Sequence, residues 1–163
     1  MSFRIEEKIL FNKMQDNLLN KFLIENKSKV IHEDRIISSI YFDNKFFQMF
    51  KDSEEGCVPR KKIRLRTYSN QKYFNFETKI SSVEGRYKTT KIIKKKDYEK
   101  LLQNGIFDSL YGICYPVIKI SYKRKDIKVF SKRLTIDSGI KYQNFITKKI
   151  ISDNFSKILE IKT

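Results

Sequence analysis

Histidine occurs once in this chain, cysteine and proline twice each, glycine five times and tryptophan not at all. With His32 as the single imidazole, Ser/His/Asp or Cys/His nucleophilic catalysis has little to work with. Cys57 and Cys114 lie far apart in sequence and lack the paired spacing of a zinc site, which suits a reduced cytoplasmic compartment. No apolar run approaches the roughly 20 residues that span a bilayer. The opening Met1-Ser-Phe-Arg-Ile-Glu6 has no signal-peptide core and reads as the start of a strand. The scarcity of proline and glycine leaves little room for flexible linkers, and there is no internal repeat. Acidic residues are in deficit, 19 Asp+Glu against 35 Lys+Arg, for a net charge of +16.

What is present is enough for one domain over residues 1–163, and 40% hydrophobic residues are too many for a disordered chain. The charge asks for a polyanionic partner, whether nucleic acid, anionic membrane, nucleotide or polyphosphate. Compositional bias toward Lys, Asn and Ile explains part of that bulk charge but explains the arginines of one strand less well. In Arg60-Lys-Lys-Ile-Arg-Leu-Arg-Thr-Tyr68, Arg60, Lys62, Arg64 and Arg66 alternate with Lys61, Ile63 and Leu65. A strand would put the first set on one face and the second on the other. Related alternations pair Glu6 with Lys8, Glu77 with Lys79, Tyr122 with Arg124, Arg133 with Asp137 and Glu160 with Lys162. Basic groups bind phosphate oxygens, and interspersed carboxylates can hold the divalent cation that accompanies them.

Period-2 patterning predicts eight strands, at 3–11, 35–43, 59–68, 72–81, 86–94, 116–125, 128–138 and 157–163. Turns are expected at Ser69–Gln71, before Gly85 and at Lys125-Asp126. Helical spacing predicts Asn12–Ile24, with Met14, Leu18, Leu19, Phe22 and Leu23 on one side. It also predicts Asn44–Phe50 behind an Asp43 cap and Lys96–Gln103 ending before Gly105. The aromatic groups on these helices are expected in the core. The class is α+β with mostly antiparallel strands. The charged strand faces could meet water on an open sheet, or face one another inside a closed barrel with a wet lumen. Two cations ~6 Å apart repel by roughly 3 kcal/mol at an effective dielectric of ~20, so such a lumen needs interleaved carboxylates or a bound anion.

Arg4-x-Glu6-x-Lys8, Ser39-Ile-Tyr-Phe-Asp43, Lys62-Ile-Arg-Leu-Arg-Thr-Tyr68 and Phe76-Glu-Thr-Lys79 come in one order. Ser121-Tyr-Lys-Arg124, Arg133-Leu-Thr-Ile-Asp137 and Leu159-Glu-Ile-Lys162 continue it. The series resembles the VTC (vacuolar transporter chaperone) polyphosphate polymerase domain of the triphosphate tunnel metalloenzyme, or CYTH-like, superfamily. The resemblance implies an eight-stranded antiparallel β tunnel, a closed barrel with a charged lumen and a few flanking helices. It implies that Lys8, Arg64, Arg66, Lys79, Arg124 and Lys162 line the tunnel and act on the phosphate chain. Tyr122 and Arg133 would add contacts, as would Lys62 and either Lys88 or Lys91. Glu160 would lead the ligands of Mn²⁺ or Mg²⁺, with Glu6 and Glu77 shaping the metal site.

The implied activity is metal-dependent transfer of the γ-phosphate of ATP, or another nucleoside triphosphate, to growing polyphosphate. The alternatives are a triphosphate hydrolase of the same fold and a non-catalytic polyanion-binding module, nucleic acid being the least favoured partner. Hydrolases of the superfamily open with Glu-x-Glu-x-Lys; here Arg4 stands first, which favours the polymerase. Domains of this type usually extend further beyond the position of Lys162. Taken singly, Glu77/Lys79 and Glu160/Lys162 would pass for surface ion pairs worth under ~1 kcal/mol.

Overall fold

In the computed structural model, which describes residues 6–162, the chain order is β1 (Glu6–Phe11), α1 (Lys13–Glu25), β2 (Lys29–Asp43), α2 (Gln48–Glu54), β3 (Arg60–Tyr68), β4 (Phe74–Ser82) and β5 (Gly85–Ile93). There follow α3 (Lys95–Asn104), β6 (Ile106–Asp108), β7 (Gly112–Val129), β8 (Lys132–Asn144), β9 (Ile150–Asp153) and β10 (Lys157–Lys162). Arg4 and the expected strand ends at residues 3 and 163 lie outside the described residues.

The hydrogen-bonded order is β1-β10-β8-β7-β2-β3-β4-β5, with the short β6 on β7 and β9 on β8. Its eight strands correspond to the eight that alternation predicts, so the α+β class stands, and the short β6 and β9 are additions the alternation does not predict. Among the described residues the path ends at β1 and β5 without a ladder joining them, so hydrogen bonds do not seal the closed barrel. At the β5 end, Arg86, Lys88 and Lys91 are charged side chains of the kind that keep an edge strand from pairing.

The chain divides into two compact units. The first takes the described residues up to Ile37, Ser121–Lys141 and those from Ile151 onward. Its core is Phe11, Leu23, Ile127, Val129, Leu134, Ile136 and Leu159, with Leu19 against it. Helix α1 starts at a capping box: the Asn12 side chain accepts from the Met14 and Gln15 N–H, and Gln15 accepts from the Asn12 N–H. Only Leu19 and Leu23 of its expected apolar side reach the core; Met14 and Leu18 are 80% and 67% exposed, and Phe22 is exposed as well. At about 100° per residue the five span roughly half the circumference, more than one sheet face covers.

The second unit comprises Ser38–Ile120 and Tyr142–Ile150. It buries Ile40, Phe42, Met49, Ile63, Leu65, Tyr111 and Cys114, with Tyr98, Leu101 and Leu102 of α3 packed on them as expected. α2 begins at Gln48, later than expected, yet the Asp43 carboxylate still caps it by accepting from the Met49 and Phe50 N–H. That start turns Met49 inward and leaves Phe46, Phe47 and Phe50 exposed, which corrects their placement in the core. The Lys125-Asp126 turn is also corrected. β7 runs on to Val129 because Ile127 and Val129 are buried, and the chain reverses at Phe130-Ser131, where Phe130 has φ 54°. Among the described residues no helix is long and apolar enough to cross a membrane.

Candidate functional site

Each unit carries one charged cluster organised around a buried glutamate. In the second unit, β3–β4–β5 register sets Lys62 opposite Lys79 and Lys79 opposite Lys88. It sets Arg64 opposite Glu77, and Arg66 opposite Asn75. Paired residues of adjacent strands project from the same face, so Lys62, Arg64, Arg66, Glu77, Lys79 and Lys88 share one. Ile63 and Leu65 point the other way into the core, with Phe76 opposite Leu65. Lys91 lies opposite Phe76 and so belongs to that other face; the register separates it from Lys88.

Glu77 is 3% exposed. Its Oε2 accepts from Arg64 Nε at 2.6 Å and lies 3.7 Å from Arg66 Nη1, while Oε1 accepts from Lys88 Nζ at 2.7 Å. Burial pushes the Glu77 carboxyl up, but the Lys88 hydrogen bond and the charges of Arg64 and Arg66 outweigh it and hold it below the usual range. Arg64 Nη1 donates to Tyr41 Oη at 2.9 Å and Arg66 Nε to Ser39 Oγ at 3.0 Å. Burial raises the Tyr41 phenol, and Arg64, Arg66 and Lys62 bring it net below its ordinary value. Ser39 and Tyr41 carry no role in the sequence motif Ser39-Ile-Tyr-Phe-Asp43; their shared parity on β2 is the signal that places them on this face.

In the first unit, Lys8 faces Glu160 and Glu6 faces Lys162 between β1 and β10, and Lys162 faces Arg133 of β8. Arg124 forks onto Asp137, Nε and Nη2 donating to the two carboxylate oxygens at 2.6 Å each, with Nη2 3.7 Å from Glu160. The guanidinium stands 5.3 Å from the Tyr122 ring. Lys162 Nζ is 3.0 Å from Glu160 and 3.5 Å from Glu6. Burial again pushes the Glu160 carboxyl up, and Lys162, Arg124 and Lys8 pull it below the ordinary range. Asp137, paired with Arg133 by parity in the sequence, is the buried partner of Arg124. Arg133 turns instead to Asp126, donating from Nε at 3.1 Å and Nη2 at 2.5 Å. Asp126 is fully buried and also accepts from Arg35 Nη2 at 2.7 Å. The sequence places Asp126 in a turn and gives Arg35 no role.

Glu160 and Glu6 thus meet at Lys162, whereas both Glu77 oxygens are taken by cations. Among the described residues no group of three His, Cys, Asp or Glu side chains is placed to hold a metal on its own. Glu160 and Glu6 are nevertheless hard oxygen donors, whereas both Asp137 oxygens, like those of Glu77, are held by a cation. A Mg²⁺-type ion commonly takes one or two carboxylates and completes its shell with phosphate and water oxygens. The donor set fits that mode and not an all-protein cage.

The family model described as the VTC domain matches residues 4–163. No curated protein matches the sequence. Among solved structures, a candidate adenylate cyclase from Bacillus halodurans superposes with a TM-score of 0.67 at 18% identity, over 98% of this chain and 80% of that one. The PH1819 protein from Pyrococcus horikoshii gives 0.61 at 17%, over 99% and 77%. A candidate adenylyl cyclase from Hippeastrum with a dominant triphosphatase activity gives 0.56 at 12%, over 98% and 78%. At these identities the likeness is one of fold.

Proposed function

The chain belongs to the VTC-domain family, which together with its fold supports a triphosphate-processing, metal-dependent enzyme, and from that premise we propose that it is a polyphosphate polymerase. Residues 1–163 form one such domain in this reading, set in a reduced cytoplasm that suits the free Cys57 and Cys114. A terminal oxygen of the growing polyphosphate chain attacks the γ-phosphorus of ATP or another nucleoside triphosphate. The bond from that phosphorus to the β-bridging oxygen breaks, and the nucleoside diphosphate leaves with the electron pair. An ionised phosphate nucleophile needs no strong general base, so a chain with one histidine is not handicapped. Catalysis then rests on holding the reacting groups in line and stabilising spread negative charge.

The observation that carries this reading is the Glu77 cluster, with Arg64, Arg66 and Lys88 converging on one buried carboxylate. Such a cluster is a set of oriented donors whose counter-ion a phosphate can replace. Arg64 and Arg66 would grip phosphate oxygens through their planar forks, and Lys62, Lys79 and Lys88 would act as point charges. In the other unit Lys8, Arg124 and Lys162 would do the same beside Glu160, with Tyr122 supporting Arg124. Arg133 would contribute from its Asp126 tether. Mn²⁺ or Mg²⁺, held by Glu160 with Glu6, would supply Lewis-acid neutralisation of phosphate charge. Glu77, with both oxygens occupied, balances charge in this scheme, and Lys91 lies off its face.

A second reading, triphosphate hydrolysis, draws on the fold shared with the Hippeastrum protein and its dominant triphosphatase activity. The two part on one experiment: protein with ATP and Mn²⁺, assayed in one tube for ADP, free phosphate and polyphosphate. Polyphosphate formed in step with ADP supports the polymerase. Free phosphate without polymer overturns it in favour of the hydrolase.

A further inference from the structure

The second unit holds a cavity of about 190 Å³ lined by Ser53, Arg60, Lys62, Lys79, Ser81 and Arg86. Register explains the grouping: Arg60 faces Ser81 and Ser81 faces Arg86, one row beyond the Lys62, Lys79 and Lys88 row. Four cations and two hydroxyls meet there, and among the described residues no carboxylate lines the cavity. This differs from the neighbouring cluster, where Glu77 offsets Arg64, Arg66 and Lys88. Arg60 is anchored by Nη1 to the carbonyls of Gly56 and Cys57, at 3.2 and 2.8 Å, which leaves its other N–H groups for a ligand. A carboxylate-free pocket of arginine, lysine and serine is chemistry for phosphate oxygens.

The Arg60–Ser81–Arg86 row stands four residues along the strands from the Arg64–Glu77 row, roughly 14 Å at the usual rise. A triphosphate centred on the Arg64–Glu77 row falls short of Arg86, whereas a longer linear chain continues past Lys62, Lys79 and Lys88 into the pocket. Resting on the functional reading above, we propose that this pocket is a second phosphate subsite. It takes the phosphates of a linear polyphosphate beyond those held at Glu77, and it gives the protein a preference for long chains over triphosphate.

Arg86 stands exposed next to the β4–β5 turn, so Arg86→Ala should leave the fold intact. Titration calorimetry of the full chain at fixed ionic strength would compare inorganic tripolyphosphate with size-fractionated polyphosphate several times longer. Wild type should bind the longer chain more tightly. Arg86→Ala should weaken that binding about tenfold, the value of one charge-assisted hydrogen bond, and leave tripolyphosphate unchanged. Equal loss for both ligands, or loss for neither, would overturn the subsite while leaving the functional reading in place. No binding of either anion to wild type would overturn both. A 5′-triphosphate oligoribonucleotide that depends on Arg86 more than polyphosphate does would overturn it in favour of nucleic acid.

Discussion

Replacing Glu77 with Gln keeps the side-chain shape and removes one negative charge from among three cations. Glu77 is 4% exposed at its side chain, Arg66 10% and Arg64 22%, so neither arginine can move into water without disturbing the sheet. Lys88 is 46% exposed and simply returns to solvent. Breaking a buried pair costs about 3–5 kcal/mol, chiefly because the remaining charge is stranded. With Lys88 free to leave, the lower end applies, about 3 kcal/mol. For a chain of this size each kcal/mol moves Tm by about 2–4 °C, so the variant should melt roughly 6–12 °C lower. The assay is thermal and urea unfolding in phosphate-free buffer at low salt, with and without tripolyphosphate. A bound polyanion restores the lost counter-charge and stabilises only the folded state. Ligand should therefore raise the variant's Tm by more than the wild type's. A Tm equal to wild type without ligand would refute the account of Glu77 as the resident counter-ion of its cluster.

Glu160→Gln should spare anion binding and abolish metal-dependent turnover; normal turnover with Mn²⁺ would remove Glu160 from the metal site. Both Glu77 and Glu160 titrate below the ordinary glutamate range when folded. Their contribution is thus complete above the unfolded value near ~4.3 and is lost as pH falls through the depressed folded values. Circular dichroism melts on an acid series should hold steady down to that region, and a decline beginning near neutrality would contradict the sign. Asp126→Asn removes the buried carboxylate that Arg35 and Arg133 share and should cost about 3–5 kcal/mol in urea unfolding. Gly105→Ala puts a Cβ 2.7 Å from the Cys114 carbonyl oxygen at a φ of 76°, and should lower the urea midpoint by the equivalent of about 1–3 kcal/mol.

The parts of this molecule legible in sequence are those fixed by short-range alternation. Arg64 and Arg66 against Ile63 and Leu65 declare two faces of one strand, and the structure buries the apolar pair as the pattern requires. The tight hairpin with Ser82 paired to Gly85 sets the β4–β5 register, and that register separates Lys88 from Lys91. A one-residue slip would have exchanged them, and the sequence does not say which register forms. Asp126 shows the other limit. A polar Lys-Asp pair reads as a turn, and its correct reading depends on Arg35, 91 residues away. The start of β2, Lys29–Asp34, is exposed and carries its two apolar residues, Val30 and Ile31, side by side, so no alternating periodicity announces it. In α2 the displacement of the first turn exchanged the aromatic side chains for Met49. The charged residues of the two clusters were found because their parity was regular; Ser39 and Tyr41 share such a parity and were passed over because neither is charged.

The uncovered side of α1 has a colloidal consequence. Met14, Leu18 and Phe22 leave an oily stripe on a chain whose net charge is +16. At low ionic strength, mutual repulsion between copies opposes contact through that stripe. Added salt shortens the range of the repulsion to about 3 Å at 1 M, and a polyanion neutralises it outright. The protein should therefore be most dispersed in dilute buffer and begin to self-associate in high salt or on addition of polyphosphate.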